Sequence, residues 1–166
     1  MRNITAAMGL FGFMLLLGAV YFSRQQAAAQ STASTGLIVK SSPYSVEETE
    51  TRFKQILDAK GLNLFATVDH EKNAAGADLE LRPTRVVIFG NPKVGTPLMQ
   101  CQQTIAIDLP QKVLIWEDEQ GNVQLAYNDP QYLGGRHRLD GCGTEAIKTI
   151  SGALNNLTNG AITESP

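Results

Sequence analysis

Thr84-Arg85-Val86-Val87-Ile88-Phe89 and Lys112-Val113-Leu114-Ile115-Trp116-Glu117 are the stretches on which the fold turns. Both are rich in β-branched and aromatic residues, and both end in turn signals, Gly90-Asn91-Pro92 and Glu119-Gln120-Gly121. Successive side chains of a strand point to opposite faces. Val86 and Ile88 therefore oppose Val87 and Phe89, and Leu114 and Trp116 oppose Val113 and Ile115, so both faces are apolar. Asn122 to Asn128 differs: Val123, Leu125 and Tyr127 share one side, with Gln124, Ala126 and Asn128 on the other. It reads as a half-buried strand forming a hairpin with 112–117.

Upstream, Leu37-Ile38-Val39 is a first strand, ended at Ser42-Pro43-Tyr44 because Pro43 has no amide to give a sheet. Ser45 and Glu48 form a capping box, Val46, Phe53, Ile56 and Leu57 recur at helical spacing, and Gly61 is placed to end that helix. Leu64 to Val68 reads as another strand, and the Ala- and acid-rich stretch from His70 to Leu81 holds a helical turn. Thr96 is expected to cap a short helix with Pro97 at its first position. Ile147, Ile150, Leu154 and Leu157 define a closing helix from about Thr144 to Asn156. The order strand, long helix, four strands, helix predicts an α+β fold: an antiparallel sheet with two main helices on one face. The second apolar face then needs residues 96–104 folded over it, a ligand, or a second copy of the chain in a homodimer.

The chain has 166 residues, 43% hydrophobic and 18% charged, with a formal charge of −2. That balance excludes a disordered tail and argues against nucleic acid as a partner. Residues 1–29 stand apart. Arg2 precedes an uncharged apolar run from Met8 to Phe22, and Ala27-Ala28-Ala29 offers a signal-peptidase site. The run is short for a membrane span, whereas Arg24 suits an uncleaved anchor. Residues 1–29 are expected to be a signal peptide or N-terminal anchor, 30–36 a linker, 37–158 a single domain and 159–166 a flexible tail. The domain is thus expected to be exported, periplasmic or extracellular, and to meet a membrane only if the first segment is retained. In an oxidising compartment Cys101 and Cys142 pair as a disulfide; the alternative is two buried thiols.

Phe65-Ala66-Thr67-Val68-Asp69-His70, Leu81-Arg82-Pro83-Thr84, Phe89-Gly90-Asn91-Pro92, Gly95-Thr96-Pro97-Leu98-Met99, Asp108-Leu109-Pro110 and Tyr127-Asn128-Asp129-Pro130 occur in one order. In this the chain resembles the bacterial and archaeal family called domain of unknown function 302, over about residues 37–158. The resemblance implies a compact fold of the TATA-binding-protein-like kind and no established activity.

Several residues carry candidate chemistry. His70, between Asp69 and Glu71, is a candidate general base or ligand contact; the alternative is a structural histidine holding the loop toward Leu81. His70, Cys101, His137 and Cys142 lack zinc-site spacing, although Met99 with Cys101 suits a soft metal such as cuprous copper. Gly90 to Thr96 is not a phosphate loop, because Thr96 rather than lysine follows Gly95. Amides after Thr96, with Lys93 nearby, remain a candidate anion site; the alternative is a capped turn that only reverses the chain. Glu117-Asp118-Glu119 reads as a solvated turn, and Arg136-His137-Arg138 as an exposed loop that can meet it as a cation cluster. No cofactor is indicated. The leading expectation is a non-enzymatic domain that binds a small ligand, or itself, through the second sheet face. Phe89, Met99, Leu114 and Trp116 would supply apolar contact, with His70 and Asn91 orienting. The alternatives are an enzyme using His70 and a soft-metal protein.

Overall fold

The computed structural model describes residues 35–163. Residues 1–29, read as a signal or anchor, and most of the linker lie outside them. From Gly36 the described residues form one compact unit. Its elements are β1 (Leu37–Ser42), α1 (Val46–Ala59), β2 (Asn63–Asp69), α2 (His70–Ala75), β3 (Thr84–Gly90), α3 (Pro92–Cys101), a 3-10 turn (Gln103–Ile107), β4 (Gln111–Glu117), β5 (Val123–Asn128), α4 (Pro130–Arg136) and α5 (Thr144–Ile162). The five strands form one antiparallel sheet in the order β1-β5-β4-β3-β2. The expected α+β order holds, with short elements added.

Register fixes the faces. Val87 pairs with Val113 and Ile115 with Leu125, and all four are fully buried beneath α1 and α5. Phe53 of α1 meets Phe89 edge-on at 5.1 Å, and Ile147, Ile150, Leu154 and Leu157 bring α5 onto the same layer. Polar groups complete the attachment. Lys40 of β1 donates to Thr158 Oγ1 at 2.8 Å and Asn159 Oδ1 at 2.6 Å on α5. Its acceptors on Asn155, Thr158 and Asn159 are uncharged, and burial holds its pKa below the usual lysine value. On β3, next to the other edge strand, Arg85 reaches Glu50 and Glu47 of α1, at 3.1 and 3.0 Å. Burial opposes the Arg85 charge, but Glu50, Asp69 and Glu47 outweigh it and raise its pKa. Its buried Nε makes no hydrogen bond, and Asp69 Oδ2 at 3.5 Å compensates it only as a charge.

The opposite face carries Val86, Ile88, Leu114, Trp116 and Ala126, with Leu37 and Val39 44% and 51% exposed. Residues 96–104 do not cover it. Leu98 and Ile105 are buried in the core on the helical side, so the crossover packs with α5 there.

Three local expectations are corrected. The helix expected to start at Thr96 starts at Pro92, capped by Asn91, whose side chain accepts from Lys93 N–H at 2.9 Å. Asn91-Pro92 is the stronger start signal: it joins a capping acceptor to a first-turn proline with no amide to satisfy. Pro97 lies inside the helix, and Thr96 presents no helix start to an anion. The closing helix runs to Ile162, because Leu157, Thr158 and Ala161 are buried, so the expected tail is helical through Ile162. Arg136-His137-Arg138 is not simply exposed, since His137 is buried.

Candidate functional site

An apolar cavity of about 260 Å³ opens where the helical side of the sheet meets the β3–β4 crossover. Phe89 and Gln111, paired across β3 and β4, form its floor. Ile150, Leu154 and Leu157 of α5 form one wall. Val94 and Met99 of α3, with Leu109, form another. Phe65 reaches the rim from β2, where the register slips between Leu64 and Ala66 and leaves it 53% exposed. The side chain that the bulge displaces flanks the cavity, as bulges beside binding sites often do.

The local sequence explains why the space exists. Gly90 leaves room beside Phe65 and Pro110, since an added Cβ would sit 3.6 Å from each. Leu98 and Met99 lie side by side on α3, yet Leu98 is buried toward Gly143 while Met99 lines the cavity. The crossover is therefore anchored by one residue and lines the opening with the next. Asn91 also borders the cavity, with its side-chain oxygen already committed to the cap.

The predicted site residues separate. Phe89, Asn91 and Met99 converge on the cavity. Trp116 and Leu114 lie on the opposite face, and Trp116 pairs with Thr84 at the far end of the strand, about 17 Å along β4 from Gln111. His70 begins α2 and is exposed, while Asp69 caps that helix by accepting from Lys72 N–H at 2.9 Å. Phe89 thus serves the helical side rather than the second face, as its strand parity requires. Among the described residues no group of three or more His, Cys, Asp or Glu is placed to hold a metal ion. Cys101 and Cys142 are paired with each other, their Cα atoms 5.8 Å apart, so Cys101 has no free thiolate to share a metal with Met99.

A polar cluster was missed. His137 Nε2 lies 2.5 Å from Asp108 Oδ2, and its Nδ1 lies 3.2 Å from the Thr104 hydroxyl. Arg136 reaches the other Asp108 oxygen at 3.3 Å. With Nε2–H donating to the carboxylate, Nδ1 accepts from Thr104, and a neutral imidazole has both nitrogens satisfied. A hydroxyl, an imidazole and a carboxylate in a row are the parts of a nucleophile and its base. Thr104 does not line the cavity, however, so no binding space adjoins it there. The cluster clasps the 3-10 turn to the end of α4. Arg136 and His137 meet Asp108, not the acidic hairpin tip. Asp118 at that tip is committed locally: the amides of Asn122 and Gln120 and the side chain of Gln124 hold its pKa below the usual aspartate value.

The pattern of the family described as "Domain of unknown function DUF302" matches residues 38–157. The crystal structure of an uncharacterized conserved DUF302 protein from Bacillus stearothermophilus superposes with a TM-score of 0.69. It covers 77% of this chain and 99% of that one at 16% identity, a likeness of fold. Proteins named fluoride-specific ion channel FluC 1 from Brucella suis and Brucella abortus are each 38% identical over 154 residues. The match covers 89% of this chain but only 61% and 57% of theirs, so the chain spans about three-fifths of these curated relatives.

Proposed function

The chain belongs to the DUF302 family, and from that premise we propose that it is an exported, non-enzymatic module that binds a small apolar ligand in the cavity between β3, β4, α3 and α5. The cavity carries the reading. Its walls are side chains such as Phe89, Met99 and Leu154, which reward an uncharged hydrophobic group by removing its surface from water. The same walls penalise a bare anion, whose lost hydration they do not replace. No helix among the described residues is long and apolar enough to cross a membrane. The channel names of the relatives therefore suggest a module accompanying another activity in those longer proteins, not ion conduction by this domain.

The test is a thermal-shift series with uncharged alkyl and aryl compounds of rising size. A ligand at a hundred times its dissociation constant should raise the melting temperature by about 10 °C. Ala153→Trp, which places bulk beside the cavity, should abolish the response. A flat series, or a response that survives Ala153→Trp, would exclude the proposal.

The second sheet face supports a further reading, self-association, because Val39 is exposed in one row with Ala126 and Leu114 on the side of the sheet away from α1 and α5. Sedimentation equilibrium should show a dimer that Val39→Lys converts to monomer. A monomer at all concentrations rejects it.

A further inference from the structure

Antiparallel neighbours such as β3 and β4 can be joined by two to five residues. Here the connection runs from Asn91 to Pro110 and includes α3 and the 3-10 turn. Its inner side walls the cavity through Val94, Met99 and Leu109. Leu98 and Ile105 seat it on the core. Its covalent and charged ties lead to one place, the stretch from the end of α4 to the start of α5. Cys101 is bonded to Cys142, and Asp108 is held by His137 and Arg136. The crossover is thus continuous with the sheet at both ends and clasped at two points between.

We infer that this crossover is a lid on the cavity and that the Cys101–Cys142 bond is its lock, so that thiol–disulfide exchange sets how fast an apolar ligand enters and leaves. The inference rests on the cavity being a binding site. The lock is reachable, because Cys142 is exposed. A dithiol reductant supplies the chemistry. One of its thiolates attacks the Cys142 sulfur, a mixed disulfide forms, and Cys101 leaves as a thiolate that takes up a proton. The second thiol then attacks the reductant's own sulfur in the mixed bond and frees Cys142. Two electrons and two protons pass to the protein, and the reductant leaves as its disulfide. Leu98, Ile105 and the Asp108–His137 contact remain as non-covalent anchors, so breaking the bond frees the end of α3 beside Met99 while the sheet stays folded.

The test uses the full chain and N-phenyl-1-naphthylamine, an uncharged apolar fluorophore. Its release is followed by stopped-flow dilution from the oxidised chain, the dithiothreitol-reduced chain and the Cys101→Ser, Cys142→Ser double variant. Release should be about tenfold faster or more from the last two, and the double variant should ignore reductant. Equal rates from oxidised and reduced chain, with the dye bound in both and excluded by Ala153→Trp, overturn the lid and leave the binding site standing. No dye binding in either form, or unaltered binding in Ala153→Trp, overturns the binding site and the lid with it. Circular dichroism accompanies each form: loss of the folded spectrum on reduction also overturns the lid, which requires a folded reduced state. If the double variant alone fails to fold, the oxidised and reduced chains still decide the outcome.

Discussion

Opening the Cys101–Cys142 bond should lower the unfolding free energy by about 4 kcal/mol, and the figure follows from chain length. The bonded residues are 41 apart in sequence. Closing a loop of that size removes about 13 cal/mol/K of entropy from the unfolded chain, hence about 4 kcal/mol at 25 °C. A domain of this size has about 5–15 kcal/mol in all, so the reduced form keeps about 1–11 kcal/mol and stays folded. The assay is urea unfolding followed by the fluorescence of Trp116, the single tryptophan, with and without reductant. The midpoint should fall, and the slope should rise slightly as the open chain exposes more surface. Alkylation and mass measurement verify the thiol state at each point. A loss below about 1 kcal/mol would refute the reasoning, because the closed loop would then remove almost no entropy from the unfolded chain.

Other perturbations reach other parts of the fold. Phe53→Ala removes a fully buried ring and its edge contact with Phe89, and should cost about 3–5 kcal/mol by urea unfolding. Glu50→Ala removes Arg85's most buried partner while Glu47 and Asp69 remain, and should cost about 1–3 kcal/mol by urea unfolding, whereas the exposed Glu47→Ala should cost less than about 1 kcal/mol. Asp118 has a lowered folded pKa, so its contribution is full above the ordinary aspartate value and is lost as pH falls through the folded one. Asp118→Asn should accordingly flatten the acid limb of hairpin amide protection measured by hydrogen exchange. Gly36→Ala should destabilise the start of β1, since Gly36 has φ +69° and an added Cβ would meet the Tyr132 ring at 2.5 Å; thermal unfolding measures it.

The architecture was legible because its signals are local and periodic. The Ser45–Glu48 cap, the Val46 to Leu57 stripe and the alternation along 84–89 and 112–117 each declare an element and a face. Element ends were less so. Asn91-Pro92 marks the stop of a strand and also starts a helix, and Asp129-Pro130 starts α4 in the same way, its cap hidden before Gly134-Gly135. The site was legible only in part. Parity alone tells that Phe89 and Trp116 point apart, yet which face takes the helices depends on the whole packed layer. His137 and Asp108 meet from 29 residues apart, and no local pattern announces that pairing. The Cys101–Cys142 pair was readable because the choice among two cysteines is forced once an oxidising compartment is assumed.

A crystal of the oxidised chain held under xenon pressure tests the central claim most directly, because xenon enters apolar cavities without hydrogen bonds or charge. Anomalous density should appear among Phe89, Met99 and Leu154. If that space stays empty while xenon settles elsewhere, the apolar binding site does not exist as described.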